Sequence, residues 1–356
     1  MNKIKLAILG CGRVSEHYKK ILSSNAVNGF EVIGVCDLDL TKAKNHANHY
    51  NCKYFTSFEI MLKETKPSLV IILTPSGEHF EHALMSLKNG FNTLVEKPPA
   101  MLPDQIIELY ELAKKNNLLI SAAYQNRLNP AITCLKKAIE DKRFGKIVSS
   151  SIRLRWCRYN EYYSDNWHGR WSSDGGVINQ QAIHHIDALC WLLGDINKVC
   201  SIGKKRLNSL EAEDTMVSII EFTDGSLCTL EATTAARPID FEASISVVAE
   251  KGMAQIGGIA LNKIDQWHFS DEQIEDKDIP RKYSQEVENG YGLSHGPLLQ
   301  NIINFLKTKK NYETIPIIET IKTCELVHAL YKSNENEEWI FFDSKPLSSK
   351  LGVLNA

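Results

Sequence analysis

The first 125 residues alternate between short apolar runs and stretches in which apolar side chains recur at helical spacing. The strand-like runs are Lys5–Gly10, Glu31–Asp37, Leu69–Leu73, Asn92–Val95 and Leu118–Ala123. The helical stretches begin at Val14, Thr41, Glu78 and Pro103. Short apolar runs bounded by turn residues are typical of strands that are buried on both faces. Their alternation with helices predicts an α/β domain, a doubly wound parallel sheet covered by helices on both sides.

After Asn126 the pattern of apolar positions changes. Within Lys146–Trp156, the even-numbered positions include the apolar residues Val148, Ile152, Leu154 and Trp156. The odd-numbered positions include Arg153 and Arg155. Such alternation predicts a half-buried strand of an antiparallel or mixed sheet. Further strands are expected at Val199–Arg206, Met216–Phe222, Cys228–Thr234, Ala243–Val248 and Met253–Ile256, and helices at Pro130–Asp141, Pro297–Lys307 and Ile318–Ser333. The sequence therefore predicts two domains, residues 1–125 and residues 126–356.

A glycine-rich turn joins the first predicted strand to the first predicted helix. It consists of Gly10-Cys11-Gly12-Arg13-Val14-Ser15, with Ser15 where a dinucleotide-binding fingerprint usually has Gly or Ala. The first glycine permits the tight turn, the second lets a pyrophosphate approach the backbone, and the helix start offers N–H groups. Asp37 ends the second strand, where a carboxylate accepts hydrogen bonds from ribose hydroxyls and repels the 2′-phosphate of NADP. The pattern predicts a binding site for NAD rather than NADP.

Two further loops follow predicted strands of this domain. They are Thr74-Pro75-Ser76-Gly77-Glu78-His79 and Glu96-Lys97-Pro98-Pro99. Open α/β sheets bind ligands at the carboxyl ends of their strands, so both loops are candidates for the same cleft. Lys97 is either an ordinary solvated lysine or a residue that the following proline pair directs towards the cofactor.

Charge and composition narrow the classes of function. The 356 residues include 41 Lys and Arg against 43 Asp and Glu, a formal net charge of −2, which argues against a general affinity for nucleic acid or anionic membranes. No apolar stretch reaches the roughly 18 residues of a membrane span, and we expect no signal peptide and a cytoplasmic location. The nine cysteines are scattered, and the adjacent pair His184-His185 diverges on a helix, so we expect reduced thiols and no metal site.

The glycine turn, the two loops and the segment Asp174–Asp187 together resemble the Gfo/Idh/MocA oxidoreductase family. The similarity extends over almost the whole chain, including Gly290-Tyr291-Gly292-Leu293-Ser294-His295. It implies an N-terminal Rossmann domain and a C-terminal α/β domain with a large, mostly antiparallel sheet that commonly forms homodimers or homotetramers. It also implies NAD(P)-dependent oxidation of sugars, polyols or nucleotide sugars.

The resemblance implies roles for individual residues. Lys97 matches the family's catalytic lysine, and Gln180 and His184 match its acid or amide four residues before a histidine. Because Gln180 cannot ionise, an aspartate-assisted proton relay is not expected there. The implied cofactor contacts are Gly10, Gly12, Arg13, Val14, Asp37, Thr74, Pro75, His79, Glu96, Lys97 and Gln125. The implied substrate contacts are Lys97, Arg155, Arg158, Tyr163, Asn179, Gln180, His184 and Tyr291.

Oxidation of a secondary alcohol transfers a hydride from carbon to nicotinamide and a proton from oxygen to a base. The His184 imidazole is suited to accept the proton near neutral pH, while the Lys97 ammonium stabilises the developing alkoxide and relays the proton. The two roles are exchangeable, because the pKa of a desolvated lysine beside a cationic nicotinamide is lowered. Asp187 shares a helical face with Gln180 and His184, and either orients His184 or caps local structure.

Arginines and aromatic side chains are concentrated between positions 153 and 171. They form either a solvated strand face with a packed loop or an anion pocket, since arginine binds carboxylates and phosphates through paired hydrogen bonds. RNA binding is not expected, because the chain has no RNA-binding motif. The segment Arg155-Trp156-Cys157-Arg158, with an amide at Gln180, is most similar to UDP-N-acetylglucosaminuronate 3-dehydrogenases of bacterial surface-sugar synthesis.

The sequence therefore predicts an NAD-dependent dehydrogenase that oxidises a ring hydroxyl, at C3, of a nucleotide sugar. UDP-N-acetylglucosaminuronate is the best match. Three alternatives remain: a dehydrogenase of a UDP-N-acetylhexosamine, a free sugar or inositol; an enzyme that retains NAD as a redox relay for hydrolysis or elimination; and a non-catalytic NAD-binding sensor. The presence of Lys97 and His184 argues against the sensor.

Overall fold

The structure is a computed structural model that describes residues 3–353. The contacts within the chain divide it into two compact units. The first unit contains the residues up to Gln125 together with Leu293–Ile321. The second contains Asn126–Gly292 together with the residues from Lys322 onwards.

From residue 3 onwards, the N-terminal part of the first unit contains six strands and five α-helices. The strands are β1 (Ile4–Leu9), β2 (Phe30–Cys36), β3 (Lys53–Phe55), β4 (Leu69–Ile72), β5 (Asn92–Val95) and β6 (Ile120–Ala122). The helices are α1 (Arg13–Ser23), α2 (Leu40–Tyr50), α3 (Phe58–Thr65), α4 (His79–Lys88) and α5 (Pro103–Lys115). All six strands are parallel, in the order β3-β2-β1-β4-β5-β6.

The strand order determines where this sheet can bind a ligand. The chain proceeds outwards from β1 through β2 to β3, and then returns to add β4 on the other side of β1. Such a reversal opens a crevice at the carboxyl ends of the two central strands. The glycine turn follows β1, the Thr74–His79 loop follows β4 and the Glu96–Pro98 loop follows β5. All three predicted loops therefore lie at the ligand-binding edge of the sheet.

The second unit is built on a sheet of eight strands. In order along the chain, its elements up to residue 283 are α6 (Pro130–Glu140), β7 (Ile147–Arg155), α7 (Val177–Gln180), α8 (Ile183–Leu193), β8 (Ile196–Lys204), β9 (Thr215–Phe222), β10 (Leu227–Thr233), β11 (Glu242–Ala249), β12 (Gly252–Gly257), β13 (Lys263–Phe269) and α9 (Ile279–Tyr283). Strands β7 and β10 are parallel, whereas the other neighbours are antiparallel. One face is covered by α7 and α8, which pack on β7, β9, β10 and β11.

The alternation predicted for β7 is largely found. Ile152 and Leu154 are fully buried, and Arg153 and Arg155 point to the opposite face. Val148 was predicted to share the buried face, and this is wrong, since it is 56% exposed. It lies near the start of β7, where the pairing with β11 shifts register opposite Ile147.

The C-terminal elements belong to both units. Helix α10 (His295–Thr308) packs against α1 and β1, which is why Leu293–Ile321 belongs to the first unit, although the sequence analysis assigned it to the second domain. Helix α11 (Ile321–Asn336) and the short strand β14 (Ile340–Phe341) follow, and β14 pairs with β8 to complete the sheet order β13-β12-β11-β7-β10-β9-β8-β14.

The predicted fold class, a Rossmann-type parallel sheet with a second, mostly antiparallel α/β unit, is confirmed. Within residues 3–353, no helix is both long and apolar enough to cross a membrane.

Candidate active site

The glycine turn has the geometry that a dinucleotide requires. Gly10 has a φ of +96°, and a Cβ at this position would lie 2.7 Å from the carbonyl carbon and oxygen of Leu73, so that only glycine fits. At Gly12, a Cβ would meet no atom within 4 Å. This open space lies at the start of α1. The first-turn amides of a helix have no carbonyl acceptor within the helix, and the helix dipole favours an anion at this end. Arg13 and Val14 are the first two residues of α1.

Asp37 follows β2 and is held on both sides by backbone amides. Its Oδ2 accepts a hydrogen bond of 2.7 Å from the Cys11 amide, and its Oδ1 accepts one of 2.8 Å from the Asp39 amide. The first of these contacts ties the carboxylate directly to the glycine turn. The fixed carboxylate, the open space at Gly12 and the helix start together fit the ribose and pyrophosphate of NAD.

His79 braces two of the loops. Its ring nitrogens lie 2.7 Å from the carbonyl oxygens of Thr74 and Pro98, and burial lowers its pKa. His79 is 1% exposed. The His79 side chain is thus engaged by the loops themselves, and its contact with the cofactor stays a prediction. Thr74 and Pro75, by contrast, are half-buried in the loop that His79 supports.

Glu96 is also engaged within the protein. Its Oε1 accepts a hydrogen bond of 2.9 Å from the Tyr18 hydroxyl and lies 3.5 Å from Nε2 of His295, and its Oε2 accepts one of 3.3 Å from the Lys97 amide. Burial raises the pKa of Glu96, but the contacts with His295, Tyr18 and the Lys97 charge outweigh this and lower it to about 2. Glu96 is therefore a permanent carboxylate that anchors the Lys97 loop, and its contact with the cofactor stays a prediction.

Lys97 is half-buried. It follows Glu96 directly and precedes Pro98, to which it is joined by a cis peptide bond. Its positive charge lowers the pKa of Glu96 and that of His79. Gln125, also predicted to contact the cofactor, is buried, and its Oε1 accepts no hydrogen bond from any described residue. A buried acceptor of this kind suits a ligand that carries N–H groups.

In the second unit, His184 stands out by its exposure. All residues from Asp174 to Cys190 are buried except His184, which is half-buried. Asn179 and Gln180 lie on α7 and are buried, and Asn179 donates a hydrogen bond of 2.8 Å to the carbonyl of Asp174. His185 turns away, as the sequence predicts, and its ring packs near that of Trp156, where burial lowers its pKa to about 3. His184 is thus the less buried histidine of the pair.

Asp187 anchors this helix. It accepts two hydrogen bonds of 2.8 Å from the guanidinium of Arg127 and one of 2.9 Å from the Thr323 hydroxyl. Of the two roles expected for Asp187, these contacts support a structural one. Neither Arg127 nor Thr323 was predicted as a partner of Asp187. Both lie far from Asp187 in the sequence, so no local sequence pattern indicates the contacts.

The two arginines predicted to bind the substrate lie in different surroundings. Arg155 donates to Glu231 at 2.7 Å and to Glu242 at 3.0 Å, on the face of β7 opposite to α7 and α8. These contacts argue against the predicted contact of Arg155 with the substrate, because neighbouring strands already supply carboxylate partners for its guanidinium. Arg158 lies beyond the end of β7, donates to Asp240 at 3.0 Å and stacks over the rings of Trp156 and Tyr162.

Tyr163 lines a cavity of about 540 Å³. Its hydroxyl lies 2.8 Å from that of Thr234, and burial raises its pKa to about 12. The other side chains that line the cavity include two cations: Arg170, one of the arginines of the predicted anion pocket, and Lys205, which was not predicted. Tyr291 is 38% exposed in the loop before α10. Across the described residues, no group of three or more His, Cys, Asp or Glu side chains is placed to hold a metal ion.

Comparisons with known proteins agree with this geometry. Residues 4–124 match the Gfo/Idh/MocA model described as an oxidoreductase family with an NAD-binding Rossmann fold, and residues 132–255 match the family's C-terminal domain. The structure of the WlbA dehydrogenase from Chromobacterium violaceum in complex with NADH and UDP-GlcNAcA is 30% identical, with a TM-score of 0.88 over 96% of both chains. The Bordetella pertussis WlbA dehydrogenase, in complex with the same two ligands, is 29% identical, with a TM-score of 0.89 over 96% of this chain and 98% of that one.

A curated relative adds a second comparison. D-glucoside 3-dehydrogenase from Escherichia coli is 28% identical over 253 residues, which cover 65% of this chain and 70% of that protein. The matches extend over both units, and the residues of the glycine turn and the two loops lie where the fold requires them. This chain belongs to the Gfo/Idh/MocA oxidoreductase family and is an NAD-dependent enzyme.

Proposed function

We propose that this enzyme oxidises the C3 hydroxyl of a nucleotide sugar, and that the sugar is UDP-N-acetylglucosaminuronate (UDP-GlcNAcA). The observation that carries the proposal is the similarity, over 96% of the chain, to two WlbA dehydrogenases whose structures contain NADH and UDP-GlcNAcA. Lys97 and His184 support it, because neither of these two polar side chains is fully buried within its own unit.

Lys97 and His184 have complementary roles in this proposal. Bound NAD supplies the hydride acceptor. The Lys97 ammonium stabilises the negative charge that develops on the C3 oxygen, while His184 takes up the hydroxyl proton. The roles of these two residues are exchangeable, as they are on the sequence alone. Glu96 keeps its carboxylate charge throughout and so holds the Lys97 loop in one electrostatic state.

Arg158 is the proposed ligand of the substrate's carboxylate. It lies beyond the end of β7, and its guanidinium is only partly buried, with 24% of the side chain exposed. A single bond to Asp240 and one to the Cys157 carbonyl leave several guanidinium donors for a ligand. Asn179, Gln180, Tyr163 and Tyr291 complete the proposed substrate site.

The open face of the eight-stranded sheet supports assembly into a homodimer or homotetramer. Several large apolar side chains on this face are exposed: Ile202, Val217, Ile219, Leu227, Val248 and Met253. Because contiguous exposed apolar surface is rare on monomers, we propose that this face is covered in the assembly. Sedimentation of the purified protein measures the mass, and a monomer at micromolar concentration would contradict assembly.

A second candidate function is favoured by one comparison. The similarity to D-glucoside 3-dehydrogenase supports oxidation, also at C3, of a sugar without a nucleotide. The same catalytic residues serve either substrate, so the two candidates differ in what binds the remainder of the molecule.

The test uses the purified protein with NAD and a panel of UDP-GlcNAcA, UDP-N-acetylglucosamine, a glucoside and inositol. NADH formation is followed by absorbance, and the position of the new carbonyl is determined by NMR. We expect UDP-GlcNAcA to give the highest kcat/KM and a 3-keto product. Preference for the glucoside would support the second candidate. Binding of NAD without turnover of any sugar would contradict both.

A further inference from the structure

Glu213 is a buried acid with no role in the proposed chemistry. It immediately precedes Asp214 and β9, and it is 4% exposed. Its contacts converge on one place, the start of α7, the short helix that carries Asn179 and Gln180.

Three successive backbone amides at the start of α7 are held by Glu213 and Tyr331. The Ile178 amide donates to Oε1 of Glu213 at 3.1 Å, and the Val177 amide donates to the Glu213 carbonyl at 3.0 Å. The Gly176 amide donates to the Tyr331 hydroxyl at 3.0 Å, and this hydroxyl in turn donates to Oε1 of Glu213 at 3.0 Å. First-turn amides have no partner within their own helix, so these contacts fix the helix from outside.

The glycine pair before α7 follows from this arrangement. A Cβ at Gly176 would lie 2.2 Å from both the carbonyl oxygen and Oε2 of Glu213. At Gly175, where φ is +68°, a Cβ would lie 3.1 Å from the Tyr331 hydroxyl. The backbone before α7 therefore lies so close to Glu213 that there is no room for a side chain at Gly176.

We infer that Glu213, through Tyr331 and the amides of α7, is a positioning residue that sets the orientation of Asn179 and Gln180 towards the sugar. The inference rests on the proposed function, because it assigns those two residues to the sugar site. It goes beyond that function, because neither Glu213 nor Tyr331 contacts the sugar in this scheme.

The electrostatics of Glu213 give the arrangement a pH dependence. Burial raises its pKa to about 7, and the neighbouring Asp214 adds to this, whereas the Ile178 amide and the Tyr331 hydroxyl act in the opposite direction. Tyr331 faces it from α11, and Gly203 of β8 also packs against its side chain. Because the buried arrangement favours the protonated acid, raising the pH above about 7 favours its opening.

The test compares four variants of the 356-residue chain. Tyr331→Phe removes the bridging hydroxyl, Glu213→Ala removes the carboxyl group, and Glu213→Gln keeps the acceptor oxygen without the titration. Tyr283→Phe is the matched control, since it removes a hydroxyl of the same unit outside this network. We expect Tyr331→Phe and Glu213→Ala to raise the KM for UDP-GlcNAcA about tenfold, with kcat changed less than threefold and the affinity for NAD unchanged.

Glu213→Gln supplies the decisive comparison. It is expected to restore KM to within about threefold of the wild-type value at pH 6. In the wild type, KM should rise between pH 6 and 8.5 more steeply than in Glu213→Gln. Equal KM in Glu213→Ala and the wild type, or identical pH profiles for the wild type and Glu213→Gln, would overturn the inference.

Amide hydrogen exchange separates this inference from the proposed function. The peptide that contains Gly176–Ile178 should exchange about tenfold faster in Tyr331→Phe than in the wild type or in Tyr283→Phe. If the wild type does not oxidise UDP-GlcNAcA but this difference is found, the proposed substrate is wrong while the positioning of α7 stands. If exchange is equal in all three proteins, the positioning itself is wrong.

Discussion

The guanidinium of Arg127 donates two hydrogen bonds of 2.8 Å to the carboxylate of Asp187, and both side chains are almost completely buried. The Thr323 hydroxyl donates a third bond to the same carboxylate. Asp187 lies one helical turn after His184 on α8. The ion pair therefore ties the helix that carries the proposed base to two distant segments of the chain, and it holds the backbone of α8 in place.

Removing one partner of this ion pair should destabilise the protein strongly. Asp187→Ala removes the carboxylate that binds the buried Arg127 guanidinium, and breaking a buried ion pair in this way costs about 3–5 kcal/mol in the free energy of unfolding. Urea unfolding measures the change. The double variant Arg127→Met with Asp187→Leu should lose less, because no charge is then buried. Asp141→Ala, which breaks the exposed Lys137–Asp141 pair, is the control and should show no measurable change. A loss as small as that of the control would show that the buried pair contributes little.

Asp37 should determine the choice of cofactor. Asp37→Ser removes the carboxylate that the Cys11 amide holds at the end of β2, so NAD should bind less tightly and NADP more tightly than in the wild type. Calorimetric titration of both cofactors measures the four affinities. Asp104→Ser, at the start of α5, controls for the loss of one negative charge. Tighter binding of NADP than of NAD by the wild type would contradict the assignment.

Lys97 and His184 should contribute to the chemical step. His184→Asn and Lys97→Met should each lower the single-turnover rate of NAD reduction by about 10²–10⁴, the usual contribution of general acid–base catalysis. His268→Asn on the exposed edge strand β13 is the control and should retain the wild-type rate. NAD is expected to bind His184→Asn as it binds the wild type. Near-normal single-turnover rates in both variants would refute the proposed roles.

The two arginines should differ in their effect on substrate binding. Arg158→Ala should weaken UDP-GlcNAcA about 10- to 150-fold, the equivalent of a lost charge-assisted hydrogen bond of about 1.5–3 kcal/mol. The uncharged UDP-N-acetylglucosamine should lose much less, since it lacks the carboxylate. Arg155→Ala is the matched control, because Glu231 and Glu242 already bind its guanidinium on the opposite face of the sheet. An equal loss for both sugars in Arg158→Ala would show that this arginine does not bind the carboxylate.

Glu213 should make the stability of the protein depend on pH. Its pKa is raised from an ordinary value of 4.5 to about 7 in the folded chain, so folding favours the protonated acid. This contribution is complete below about pH 4.5 and is lost as the pH rises through about 7, with a total on the order of 3 kcal/mol. Glu213→Gln should therefore melt at a higher temperature than the wild type at pH 8.5 and at a similar temperature at pH 5. A constant difference across this range would contradict the ionisation of Glu213 inside the fold.

Several elements could be predicted from the sequence to the residue. Strand β5 (Asn92–Val95) and helix α5 (Pro103–Lys115) have the predicted bounds. A proline at a helix start is a strong local signal, and residues that favour strands, such as Thr93 and Val95, mark the short strand. The strand β13 was missed, since its buried Ile264 and Trp267 are separated by two exposed polar residues and do not alternate. Strand β3 and helix α3 were also not predicted. Strand β3 has only three residues, which is too short for a periodic pattern of apolar side chains to be recognised before α3.

What the sequence determined by itself is the local part of this enzyme: most of the strands and helices, the glycine turn and the loops at the carboxyl ends of strands. These depend on side-chain periodicity and backbone conformation over a few residues. Only the tertiary structure decided which charged side chains remain available to a ligand. Glu96 is held by Tyr18 and His295, and Arg155 by Glu231 and Glu242. The physical reason is that an ion pair forms between side chains that the fold brings within a few ångströms of each other. Because such partners lie far apart in the sequence, no local pattern predicts which charged side chains will pair.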